Sequence, residues 1–217
     1  MNHHENLEND AMNERTLVVV SAGLSQPSST RLLADRLTQA TVAELAARGV
    51  TATVENVELR ELAHAVVDAT LTGFPTGDLA AVLERLGGAD GLIAVTPLFT
   101  TTYSGLFKSF VDILDKDALV GRPVLVGATG GTGRHSLALE YALRPLFAYL
   151  RADVAGTAVF AATDDWADGG GDDVNPLPSR IRRAGRELAE MVADREPSAP
   201  VGFYDAVPSF DQLLGGA

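Results

Sequence analysis

The chain has 217 residues, 46% of them hydrophobic, which suffices for one substantial core, and no break in composition asks for a second. A formal net charge of -12 and a pI near 4.6 oppose attraction to a nucleic-acid backbone or an anionic membrane, so local donors must hold any anionic ligand. Cysteine is absent, which excludes disulfides, thiol redox chemistry and iron–sulfur ligation and leaves any redox work to a bound cofactor.

Residues 1–15 are polar and lack the apolar core of a signal peptide. They read as a disordered segment in which the adjacent His3 and His4 are solvated and bind no metal. No apolar run is long enough for a bilayer, so a cytoplasmic protein is expected. Thr16 to Ser21 is β-branched and apolar on both faces, as a strand buried in a parallel sheet should be. Ser21 to Thr30 follows, a loop of small and hydroxyl-bearing residues leading into a helix over Ser29 to Arg48, which Gly49 stops.

A second strand is predicted over Thr51 to Val57, a broken helix over Leu59 to Ala69 and an amphipathic stretch over Asp78 to Leu86. Gly91 to Val95 reads as a third, buried strand, followed by a loop from Thr96 to Gly105 and a helix over Leu106 to Leu114. Pro123 to Ala128 is the fourth strand and Thr129 to Gly133 a glycine-rich loop. A helix over His135 to Leu150, a fifth strand over Ala155 to Ala161 and a last helix over Ile181 to Val192 complete one domain at 16–194. The tail, 195–217, is rich in proline and reads first as disordered, but it carries Phe203, Tyr204, Phe210, Leu213 and Leu214, which are costly to leave in water, so docking on the domain or on a partner subunit is the alternative reading.

Five strands alternating with helices specify a doubly wound parallel sheet, whose ligands bind outside the carboxyl ends of the strands. The loops after strands one, three and four therefore converge. The first has neither a Walker lysine nor G-x-G-x-x-G spacing. Its Ser21, Ser25, Ser28, Ser29 and Thr30, with the amides opening the next helix, suit one terminal phosphomonoester, a group that FMN carries. The second offers Pro97 to fix the exit direction, Leu98, backbone groups at Phe99 and Thr100 for the polar edge of a flat heteroaromatic ring, and Phe99 or Tyr103 to wall its face. In the third, Thr129, Gly130 and Gly131 let amides approach a ring edge without side-chain obstruction. Arg134 and His135 supply local positive charge. Each loop also has a plainer reading, as helix cap, core aromatics and flexible turn respectively.

Together these residues resemble the NADPH-dependent FMN reductases of the flavodoxin-like superfamily. Thr96, Pro97, Gly105, Leu106 and Lys108 stand as in that family's stretch after strand three, with Phe99 in place of a tyrosine or other aromatic. The Arg134-His135 and Ala142 to Leu146 segments are similar to an actinobacterial-type branch. The first loop departs from the family form, lacking an arginine after the strand and carrying Thr30 where asparagine is common. The resemblance covers Thr16 to Val192. It implies a flavodoxin-like five-stranded parallel sheet of order 2-1-3-4-5 with helices on both faces.

The resemblance further implies FMN and NADPH as cofactors, with Arg134 as candidate for the NADPH phosphates, and hydride transfer that needs no catalytic acid, base, nucleophile or metal. Reduced flavin would go to a partner monooxygenase, and the chain would form a homodimer or homotetramer. Alternatives are a quinone or azo reductase with permanently bound FMN, and a flavodoxin-type electron carrier. A phosphoacceptor signalling domain would need acidic residues where Ser21 and Thr96 stand. Thr163 to Asp173 reads as a mobile acidic surface loop without calcium-loop spacing, and its Trp166 as a candidate cover for the flavin site of this or a neighbouring subunit.

Overall fold

The computed structural model describes residues 13–167 and 174–196. The readings of the first twelve residues, of Asp168, Asp172 and Asp173, and of the tail beyond 196 lie outside these residues.

β1 (Glu14–Ser21) leads to α1 (Ser29–Ala47), β2 (Thr51–Glu58), α2 (Ala63–Thr72), α3 (Gly77–Gly88) and β3 (Gly91–Phe99). β4 (Thr102–Tyr103), α4 (Gly105–Asp112) and β5 (Pro123–Gly130) follow, then α5 (Arg144–Tyr149), β6 (Asp153–Val154), β7 (Val159–Ala162) and α6 (Leu177–Ala193). The sheet runs β2-β1-β3-β5-β6, with β7 also on β5, and every pairing but that of β4 with β3 is parallel. This is the expected doubly wound order.

β1, β3 and β5 lie inside the sheet and are buried on both faces, which explains their nearly unbroken apolar runs. Alternate residues divide the core. Leu17, Val19, Ile93, Val95 and Leu125 meet α1 and α6, while Val18, Val20, Leu92, Ala94, Val124 and Val126 meet Leu86, Phe107, Phe110 and Phe147 on the other face. α1 stops where expected, with Gly49 in the left-handed conformation at φ 75°.

Three predicted elements differ. The loop proposed for Thr96 to Gly105 is largely strand: β3 continues to Phe99 and turns back through Thr100 and Thr101 into β4, pairing Leu98 with Tyr103 and Phe99 with Thr102. The helix proposed for His135 to Leu150 breaks into a 3-10 turn (Gly133–His135), a π-helical turn (Leu139–Leu143) and α5. Pro145 is the physical reason for the second break, between the π-helical turn and α5, since it has no N–H and its ring crowds the carbonyl four residues back. The fifth strand is split. Between the pairs Val124–Val154 and Gly127–Val159 the edge strand advances two residues further than β5 does. Side chains hold the extruded backbone: Arg144 donates to the carbonyls of Ala155 and Gly156, and the Glu187 carboxylate accepts from the amide and hydroxyl of Thr157.

Candidate functional site

β1, β3 and β5 are neighbours in the sheet, so Ser21, Pro97 and Thr129 stand at adjacent carboxyl ends, with Pro97 in register with Thr129 and Ser21 with Val95. The convergence expected of the three segments is present. The β1–α1 segment is anchored by Ala22, whose amide donates to Val95 O at 2.9 Å, and by the carbonyl of Ser21, which accepts from Leu59 N at 2.9 Å. Ser21 is buried and Ser25 and Ser29 are exposed.

Gly23, which sequence reasoning passed over, fixes the shape of this loop. A Cβ there would stand 2.0 Å from Ser28 Oγ, so only glycine lets the chain fold back on the serine. Ser28 caps α1, its hydroxyl accepting from Arg31 N at 3.2 Å. The amides of Ser29 and Thr30 find no acceptor among the described residues. The result is a tight loop that carries Ser25, Ser28 and Ser29 beside two helix amides without acceptors, a donor set chemically suited to a phosphate. Arg31 beside it is already neutralised: the Asp35 hydrogen bond foremost, with Glu58, holds its guanidinium pKa above the ordinary value.

The β3–β4 hairpin extends the neighbouring strand. Thr96 and Ser104, both buried and neither named as a ligand contact from sequence, pin its two legs together. Thr96 Oγ1 accepts from Ser104 N at 3.1 Å and donates to Pro97 O, and Ser104 Oγ caps α4 by accepting from Phe107 N. The signal for Ser104 was legible as a serine opening an apolar helical run. Leu98 is half-buried. The two aromatics separate: Tyr103 packs on Phe107 with ring centroids 6.2 Å apart, whereas Phe99 is 48% exposed and free to wall a ligand. Thr100 and Thr101 have φ of 49° and 75° at the hairpin tip, a conformation that β-branched residues adopt only under strain.

The third segment is less open than its glycines suggest. Thr129 and Gly130 belong to β5, and a Cβ on Gly130 would lie 2.9 Å from the Phe160 ring, so this glycine serves packing. Gly131, by contrast, has nothing within 4 Å of its Cβ position. Thr132 then caps the 3-10 turn that carries Arg134 and His135. Both are exposed, and the Arg134 guanidinium makes no hydrogen bond or ion pair among the described residues. Thr30 and Thr129 share a buried hydrogen bond of 2.8 Å between their hydroxyls, which directs both side chains at each other.

Lys108, which stands as in the family stretch, pairs with Asp112 at 2.5 Å on the surface. One sequence reading changes. Trp166 lies against the core shared by α1 and α6, with Arg36 5.1 Å over its ring, and so is no cover for the strand ends of its own chain. The described part of the acidic segment, Thr163–Trp166, is a 3-10 turn tied down by Asp165, which pairs with Arg180 at 2.6 Å and accepts from Ala162 N. A separate cleft of about 330 Å³, lined by Ala69, Gly73, Pro75 and Asp112 to Asp115, includes none of the strand-end residues. Among the described residues no helix is long and apolar enough to cross a membrane.

Residues 15–167 match the family described as NADPH-dependent FMN reductase. An FMN reductase (NADPH) of Pseudomonas aeruginosa is 37% identical over 182 residues, which is 82% of this chain and 93% of that protein. The NADH-dependent FMN reductase SfnF of Pseudomonas fluorescens is 35% identical, covering 81% of this chain and 90% of its own. Among solved structures, an oxidoreductase from Corynebacterium diphtheriae superimposes with a TM-score of 0.80 at 46% identity, over 85% of this chain and all of that one.

Proposed function

The chain belongs to the NADPH-dependent FMN reductase family, and on that premise we propose how its residues divide the work of an NAD(P)H-dependent FMN reductase. The Gly23–Ser28 loop holds the FMN phosphate through Ser25, Ser28, Ser29 and the first amides of α1. Pro97, Leu98 and Phe99 bed the flavin ring, and the amides around Gly131 face its polar edge, where negative charge accumulates on reduction. Arg134 binds the phosphates of the reduced nicotinamide nucleotide, with His135 beside it. When bound, FMN supplies the redox chemistry by accepting hydride from the nicotinamide, and this chain contributes positioning, exclusion of water and electrostatics.

The observation that carries this reading is the adjacency of three strand ends that differ in chemistry: hydroxyl-lined, aromatic and glycine-rich. Family membership sets aside the flavodoxin-type electron carrier, which shares the sheet without the enzymatic activity. We further propose that FMN leaves in reduced form to feed a partner monooxygenase, and that the working form is a homodimer or homotetramer. Steady-state NAD(P)H oxidation at varied free FMN tests the first: saturation in FMN supports it, and full activity with no FMN added replaces it by a quinone or azo reductase with permanently bound flavin. Light scattering tests the second, which a monomer overturns.

A further inference from the structure

Thr30 opens α1 and Thr129 closes β5, so their hydrogen bond ties the segment proposed for the phosphate to the segment proposed for the ring. Both residues are buried, at 2% and 4% exposure, and the oxygens lie 2.8 Å apart. Neither hydroxyl is on the open side of the loops, where Ser25 and Ser29 stand. The backing around the bond is tight as well, since a Cβ on Gly127, one alternate position before Thr129, would sit 3.2 Å from Leu37 of α1. The bond therefore sets the distance between α1 and the end of β5 at the level of the candidate site.

We propose that Thr30 and Thr129 are positioning residues that set the span between phosphate and ring subsites, and thereby favour FMN over riboflavin. The inference rests on the functional reading above. A ligand with two recognition groups on one tether gains affinity only when both subsites are spaced to be filled at once. FMN has both groups, whereas riboflavin has the ring alone and is indifferent to the span.

The bond can be removed without leaving an orphan. Replacing both hydroxyls by methyls of the same shape is close to neutral in satisfied polar groups, whereas removing one strands the other. Two methyls cannot approach as closely as two hydroxyls. Carbon–carbon contact settles at roughly 3.5–4.0 Å, so the Thr30→Val, Thr129→Val double variant widens the span by about 1 Å.

The experiment is flavin-fluorescence titration of the full chain with FMN and, separately, riboflavin, alongside thermal unfolding. The double variant should lose about tenfold in the FMN-to-riboflavin affinity ratio, mostly on the FMN side, with riboflavin affinity held. Thr129→Ser, which keeps the hydroxyl, should retain the ratio, and Thr129→Ala, which adds no bulk, should lower it whether or not the double variant folds. An unchanged ratio in Thr129→Ala, or a collapsed one in Thr129→Ser, overturns the proposal while leaving the phosphate site standing. Wild-type protein with no preference for FMN overturns the phosphate reading and the span with it.

Discussion

At the amino ends of the strands, arginines turn onto main-chain carbonyls. Arg15 reaches Val192 and Arg195, Arg122 reaches Gly87 and Ala89, and Arg195 reaches Gly121, while Asp90 accepts from Thr16 N at 2.7 Å. At the carboxyl ends Thr30, Thr96, Ser104 and Thr129 also bond inward, but a further set is exposed: the hydroxyls of Ser25, Ser29, Thr100 and Thr101 and the guanidinium of Arg134 have no partner among the described residues. One sheet thus has an end whose donors close the fold and an end that turns a set of donors to solvent. Substitutions at the first should change stability alone, and those at the second should change binding.

Arg122→Met should give the largest effect. Burial, then neighbouring Arg195, pushes the Arg122 guanidinium pKa below its ordinary value, yet the group still caps the end of α3. Losing charge-assisted hydrogen bonds from a buried site costs about 3 kcal/mol. Urea unfolding should show that loss with FMN affinity unchanged; a binding defect at intact stability would break the distinction between the two ends.

The paired glycines at the end of β5 sharpen it between two adjacent residues. Gly130→Val forces a branched side chain into the Phe160 ring and should cost about 2 kcal/mol of stability. Gly131→Val meets open space and should leave the midpoint in place while weakening FMN binding severalfold. Equal melting of both variants would remove the assignment of Gly130 to packing.

The sheet order and the three strand-end segments were legible because buried apolar runs and composition are properties of single segments. Which hydroxyls face a ligand was not legible. Ser29 and Thr30 are adjacent and alike in sequence, yet one points to solvent and the other bonds Thr129, 99 positions away. The same holds for Gly130 and Gly131, which only the Phe160 ring distinguishes. The β3–β4 hairpin escaped notice for another reason: its tip is Thr-Thr where a tight turn ordinarily shows Asn-Gly.

That tip offers the next test. Left-handed backbone costs a residue with a Cβ about 1–2 kcal/mol, and neither threonine recovers it by packing, since both are exposed. Thr100→Asn combined with Thr101→Gly should raise the melting temperature by about 2–4 °C and lower kcat/KM for NAD(P)H. A melting temperature that does not rise would deny the strain. Arg134→Ala probes the same end with a smaller effect, an increase of about fivefold in KM for NADPH at unchanged stability, the scale of one exposed charge contact. Equal KM values would free Arg134 of its role.

Glu187 tests whether the closing mode extends to the broken edge of the sheet, where it holds the extruded Thr157. Desolvation acts to raise its pKa, but hydrogen bonds from the Thr157 hydroxyl and amide, with Arg183, outweigh it and hold the carboxyl below its ordinary range. A pKa lower in the folded state than in the unfolded chain means that folding favours the ionised form. The stabilisation is complete above the unfolded value, about 4.3, and fades as pH falls through the folded one. Glu187→Gln should therefore destabilise at neutral pH, and the gap to wild type in urea midpoint should narrow below about pH 4. A gap that stays constant through the acid range would mean that shape alone, not charge, secures the split strand.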